Sequence, residues 1–203
     1  MVAEIGRVSE RKDHYVPSNE VALARFTASG GELDIVMQVA NFSAPYIGTW
    51  DSPLLGDADA VLLKRQHGVT LTALISGALL IMGLYHLSLF VLRQKDGASL
   101  FFGIICILMT VRNLIMGERL LLDFLPTTTQ AWEWAFKLEH LSAHMTVPLF
   151  ALFFRRLFPR QVFRPVTIAI VAVSMAWAAL TLFFPALVYQ RFLHWFELSL
   201  IHI

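Results

Sequence analysis

The sequence predicts a mainly α-helical integral-membrane bundle preceded by a β segment. Three observations carry that prediction. Four long apolar stretches, 68–92, 98–116, 138–154 and 165–189, follow one another along the chain. The first of them contains no Asp, Glu, Lys or Arg. The residues before them are polar and alternate like a strand. A helix crosses the hydrocarbon core with about 20 apolar residues, and its backbone must satisfy its own hydrogen bonds there.

Composition agrees. The 203 residues are 57% hydrophobic and 15% charged, with a mean hydropathy of +0.62, whereas an ordinary soluble domain carries about 25% charged residues. Polarity divides the chain into residues 1–67, which read as part of a soluble domain, and residues 68–203, which read as membrane. A net charge of +1 argues against a nucleic-acid partner. The single cysteine, Cys106, has no disulfide partner within the chain. The first residues, Met1 to Arg7, have no apolar signal region. The last apolar pattern begins near Phe192 and still runs at Ile203. Both ends therefore read as internal to a longer protein.

In the N-terminal part, Gly30 and Gly31 mark a turn. After it Leu33, Ile35, Met37 and Val39 alternate with Asp34, Val36, Gln38 and Ala40, the period of a half-buried strand. Residues 21–26 read as its hairpin neighbour and residues 5–8 as a third short strand. Residues 41–55, with Pro45, Gly48 and Pro53, read as an ordered loop. Residues 57–66 read as a helical lead-in capped by Asp57 or Asp59. Two regions follow: 1–60 outside the membrane, and 61–203 with helices at about 68–92, 98–116, 131–158, 165–188 and 191–203, the last one cut.

Lys and Arg in short loops set the orientation. The first connection holds Arg93 and Lys95, and the third holds Arg155, Arg156, Arg160 and Arg164 without an acid. These connections share a side, which the rule makes cytoplasmic. Lys64 and Arg65 weigh the other way, and Trp132 and Trp134 fall where an outer aromatic belt belongs. The balance puts the N-terminus outside.

Several short segments, taken in order, resemble a known family. They are Gln38 to Phe42, Gly48-Thr49-Trp50 and Pro53 to Gly56, then Gly83 to Leu87, Phe101-Phe102-Gly103, Arg112 with Gly117-Glu118, Leu138 to Leu141, Pro148 and Leu157-Phe158-Pro159. Together they are similar to the bacterial seven-transmembrane receptors with diverse intracellular signalling modules (7TMR-DISM). The resemblance implies a partial β-sandwich, the end of a periplasmic jelly-roll sensor domain, followed by about 4.5 of seven helices in the inner membrane. It implies a carbohydrate or other small periplasmic ligand, and a cytoplasmic histidine kinase or diguanylate cyclase module that this chain lacks. A homodimer of the full-length protein is a further partner it suggests. The chain departs from the family pattern at Ile47-Gly48-Thr49, where a Gly-Gly-like spacing precedes the tryptophan in other members.

The candidate chemistry lies in the helices. Arg112 is the most costly membrane residue, and its depth matches that of Glu139 on the next helix, predicting an intramembrane ion pair. The alternative is a snorkelling Arg112. Glu133, Lys137, His140 and His144 are spaced 4, 3 and 4 residues apart and share one stripe. Glu133 and Lys137 stand in the favourable acid-first order. Two histidines without a third ligand make no metal site, so the stripe reads as a polar bundle face. His86 joins that polar set as a bundle-facing hydrogen bonder. Gly77, Gly83 and Gly103 allow close helix approach, and Pro148 is expected to kink its helix. Phe42, Tyr46 and Trp50 form either an aromatic ligand platform or, preferably, a packing surface against the helices.

The leading reading is a receptor without a catalytic constellation or cofactor in this chain. The alternatives are an intramembrane metal-dependent hydrolase, which wants three protein ligands, and a transporter component, which would show internal repeats.

Overall fold

The computed structural model describes residues 3–28, 30–31, 33–45, 52–94, 97–193 and 195–196. Four long helices dominate: α1 Ala58–Leu92, α2 Gly97–Met116, α3 Thr129–Leu157 and α4 Arg164–Phe183, followed by the short α5 Ala186–Tyr189. Consecutive helices pack on one another, α1 on α2, α2 on α3 and α3 on α4, while α5 touches both α3 and α4. The short connections after α1 and after α3 force antiparallel neighbours there, while α2 and α3 are joined by the longer segment 117–128.

The helix limits follow from local chemistry. Asp57 caps α1 by accepting from Asp59 N at 3.1 Å and Ala60 N at 3.2 Å. The lead-in expected at 57–66 is therefore not a separate element but the first turns of α1, which has 35 residues and is about 52 Å long at 1.5 Å per residue. Thr128 Oγ1 caps α3 by accepting from Ala131 N at 3.1 Å. The sequence carries the fourth helix to about residue 188, but α4 stops at Phe183. Pro185 lacks an N–H and pushes Phe184 into the extended region, at φ −109° and ψ 153°. The chain then restarts as α5. The fifth helix expected at 191–203 falls mostly outside the described residues.

The predicted strands are not seen among the described residues, which hold only an antiparallel bridge between Arg7 and Val16 with bonds of 2.9 and 3.1 Å. Gly6, at φ +66°, permits that bridge, because a Cβ there would lie 2.3 Å from the Val16 carbonyl oxygen. The segment 33–40 alternates as a strand should, yet Ile35 is 57% and Val36 85% exposed. Alternation supplies a face to bury, but a strand also needs a partner for its hydrogen-bond ladder. No described segment supplies one. Tyr46 and the Gly48-Thr49-Trp50 segment lie outside the described residues, so the aromatic platform is represented by Phe42 alone. It meets Tyr15 edge-on at 5.4 Å.

Three helices, α1, α2 and α4, are long and apolar enough to cross a membrane. α3 is not among them, because Glu133, Lys137, Glu139 and its histidines interrupt its apolar residues. Those groups do not face lipid as a set. His140 and His144 are buried, at 9% and 1% exposure. The largest fully buried side chains among the described residues are Tyr189, His144, Thr167, Thr181, Ser142 and Ser174, all of them polar-tipped. Large apolar side chains such as Ile81, Leu74 and Phe183 lie outside. That distribution suits a lipid solvent, where apolar burial gives no advantage and polar groups are hidden between helices.

α1 and α2 approach closely at two glycines. A Cβ on Gly83 would lie 2.9 Å from Ile107 Cδ1, and one on Gly103 2.9 Å from Leu87 and 3.1 Å from the Gly83 carbonyl oxygen. Gly77, expected to serve the same purpose, is different: a Cβ there would have nothing within 4 Å. It is not at the helix contact.

Candidate functional site

The polar contacts concentrate where α1 enters the bundle, α2 ends and α3 begins. α2 ends with Gly117 N donating to Asn113 O at 3.0 Å. Arg119 then takes a left-handed conformation, φ 58°, uncommon for a residue with a Cβ. This turns its side chain toward the N-terminal segment, where Arg119 Nη1 donates to the Asn19 carbonyl. Thr127 Oγ1 donates to Glu20 Oε1 at 3.2 Å on the same connection. Pro17 is buried beneath these contacts. Residues 17–20 thus form a strap across the α2–α3 connection, and a cavity of about 30 Å³ lies under it, lined by Asn19, Arg119, Trp132, Phe136 and Glu139.

α1 is fastened to the same place. Asn113 Nδ2 donates to Thr72 O at 3.1 Å and to Ser76 Oγ at 2.9 Å. Arg65 pairs with Glu118 at 3.6 Å, both side chains largely covered. Gly68 makes room for that pair, since a Cβ there would meet Glu118 Oε1 at 2.0 Å. Further out, Arg25 of the N-terminal segment reaches Asp59 at 3.2 Å, an exposed contact worth little by itself. Tyr15 sits in the same segment. Burial raises its phenol above the ordinary value, against the lowering effect of hydrogen bonding by Ser43 and the Phe42 backbone.

The predicted Arg112–Glu139 ion pair takes another form. Arg112 Nη1 donates to the backbone carbonyl of Glu139 at 2.9 Å, and no pairing with the carboxylate occurs. Ser142 Oγ donates to the same carbonyl at 2.6 Å. An arginine facing a helix backbone finds an exposed carbonyl lone pair there, and a guanidinium needs only an acceptor. The Glu139 carboxylate instead lines the cavity under the strap.

The α3 stripe separates into two uses. Glu133 and Lys137 lie 3.7 Å apart. Glu133 Oε1 also accepts from Ala186 N at 2.9 Å, and Lys137 Nζ donates to Leu182 O at 3.2 Å. The acid therefore holds the start of α5 and the base the end of α4, each at the terminus its charge favours. This pair clamps the break that Pro185 makes. His140 and His144 lie deeper. His140 Nδ1 is 2.9 Å from Phe136 O, and its ring meets Tyr189 at 5.4 Å. His144 meets Phe196 edge-on at 4.3 Å, and its Nδ1 has no hydrogen-bond partner among the described residues. α3 runs unbroken through the buried Pro148, which leaves the His144 carbonyl without its helical donor. His86 lies apart, edge-on to Phe102 of α2 at 4.6 Å. Among the described residues no three His, Cys, Asp or Glu side chains are grouped to hold a metal.

Asn113, Arg119, Asn19 and Thr127 are site residues that the sequence does not single out, and Glu118 enters it only through the family resemblance. Asn113 is findable, as a lone amide inside an apolar helix. So is the repeat of Thr167, Ser174 and Thr181, seven residues apart on one α4 face. The strap is not, because Asn19 contributes only a backbone carbonyl.

Antiparallel helices long enough to span a bilayer, hiding their polar groups from lipid and carrying an extramembrane strap, define a multi-pass membrane bundle. A family model described as 7TM diverse intracellular signalling matches residues 69–203, about two thirds of the chain. The chain belongs to that family. No curated protein and no solved structure matches it.

Proposed function

We propose that this chain is the sensory and membrane part of a bacterial receptor. Its N-terminal region is the end of an outer, jelly-roll ligand-binding domain in the periplasm, its helices lie in the inner membrane, and its output module, a histidine kinase or diguanylate cyclase, lies in the cytoplasm. The jelly-roll assignment rests on the residue resemblance alone. Membership in a signalling family supports the receptor reading. The observation that carries it is the strap. Residues 17–20 join the α2–α3 connection through Arg119 and Thr127, so a displacement of the outer segment acts directly on two helices. Switching requires only that a ligand bind two such arrangements with different affinity.

The test uses the intact gene product in its own membrane. Reporter fusions after Leu125 and after Gln161 should fall on opposite sides, with the second cytoplasmic. Deleting the gene and substituting Arg119→Ala should each change cellular cyclic diguanylate or phosphoprotein levels. A cytoplasmic fusion at Leu125, or levels that respond to neither change, would overturn the receptor reading.

A further inference from the structure

We propose that the end of the bundle opposite the strap is a binding surface for the phosphate headgroups of anionic phospholipids. Five arginines meet there. Arg93 follows α1, Arg155 and Arg156 close α3, Arg160 lies in the next connection, and Arg164 opens α4. The two connections form one patch rather than two. The Arg156 guanidinium carbon lies 3.4 Å from where a Cβ on Gly97 would stand, so this side chain crosses from α3 to the start of α2.

The contrast with the strap end makes the case. There Arg65 is paired with Glu118, Arg119 is bound to the Asn19 carbonyl, and Arg112 deeper in the bundle is bound to the Glu139 carbonyl. Among the described residues none of the five arginines at the opposite end has a hydrogen-bond or ion-pair partner within the chain, and Arg93, Arg156, Arg160 and Arg164 are exposed. Guanidinium groups without a partner among the described residues match phosphate oxygens, which they bind through two parallel N–H donors. Exposed Phe154, Phe158 and Phe163 are interleaved with them. Exposed apolar rings beside basic groups bury themselves at the boundary of headgroups and acyl chains, which points to a lipid rather than a free anion.

The experiment uses the full chain in nanodiscs containing phosphatidylcholine and phosphatidylglycerol at equal amounts. The lipid retained on extraction into mild detergent is identified by mass spectrometry. Wild type should retain phosphatidylglycerol over phosphatidylcholine by on the order of tenfold, as expected for several arginines near one anionic headgroup. Arg155→Gln with Arg160→Gln should remove most of that preference, and Lys64→Gln at the other end should leave it intact. If the double variant fails to insert, Arg155→Lys with Arg160→Lys keeps the charge but loses the paired donors, and should lower the preference several-fold. Equal retention of the two lipids by wild type would overturn the proposal. So would full preference in the Lys variant, or displacement of the lipid by millimolar inorganic phosphate. Retention of a cytoplasmic protein in place of lipid would assign the patch to a protein partner and overturn it too.

Discussion

Replacing Gly103 with valine should separate α1 from α2, and the size of the effect follows from the contact. A Cβ at this position meets Leu87 Cγ and Cδ2 at 2.9 Å and the Gly83 carbonyl oxygen at 3.1 Å. Leu87 can turn away, but the Gly83 carbonyl belongs to the α1 backbone and cannot. Overpacking costs about 1–3 kcal/mol, and helix propensity returns up to about 1 kcal/mol when Gly becomes Ala. Gly103→Ala should therefore destabilise by about 1 kcal/mol, and Gly103→Val, with two further methyls and a stiff χ1, by about 3 kcal/mol. Gly77→Ala is the internal control. It meets nothing within 4 Å, so it should be neutral or stabilising by up to about 1 kcal/mol. Unfolding in mixed micelles by sodium dodecyl sulfate titration, followed by helical circular dichroism, measures all three. Equal stabilities for Gly77→Ala and Gly103→Val would refute the assigned helix contact.

Other substitutions test the polar contacts. Asn113→Leu removes two bonds to α1 and should cost about 1–3 kcal/mol in the same titration. Arg112→Gln should destabilise the α2–α3 contact while Glu139→Gln should not, because the bonded atom of Glu139 is in its backbone; cross-linking yields between cysteines placed on the two helices report this. Glu133→Ala uncaps α5 and frees Lys137, so amide exchange at Ala186 and Val188 should accelerate about fivefold, the equivalent of a cap worth about 1 kcal/mol. Tyr15 has a raised folded pKa. Its burial therefore supports the N-terminal fold fully below the ordinary value of 10.0, and that support is lost as pH rises through the higher folded value. Absorbance titration against Tyr15→Phe should show one tyrosine ionising late, with loosening of the segment as it does.

The helices are legible because apolar runs and their polar interruptions are strong one-dimensional signals. Pro185 is visible too, yet its effect on α4 exceeds what the apolar run suggests: it ends the helix at Phe183 and creates α5. Meeting depths for Arg112 and Glu139 follow from helical rise, which brings α2 and α3 together at the right level. The choice between carboxylate and carbonyl does not, since rise says nothing about rotamers. Glu133 and Lys137 read as a local pair, and their bonds to Ala186 and Leu182 depend on where a later helix breaks. The strands are not seen among the described residues. Period-two alternation in 33–40 is necessary for a half-buried strand but does not supply its neighbour. The strap escapes notice because the Asn19 carbonyl carries no sequence signature, and Glu20 and Thr127 read as ordinary polar residues.

α1 and α2 are clasped at three depths, by Glu118 on Arg65, by Asn113 on Thr72 and Ser76, and by the Gly83–Gly103 crossing. Such a pair moves as one stiff blade. A rotation of about 10° about the Gly83 level would carry Ala58, some 37 Å away along the helix, through about 6 Å, and Leu92, about 14 Å away, through about 2 Å in the opposite sense. The hairpin is thus geared. A broad sweep at the Ala58 end would become a short stroke at the Leu92 end, with a lever ratio near threefold set by where the glycines stand along the helix.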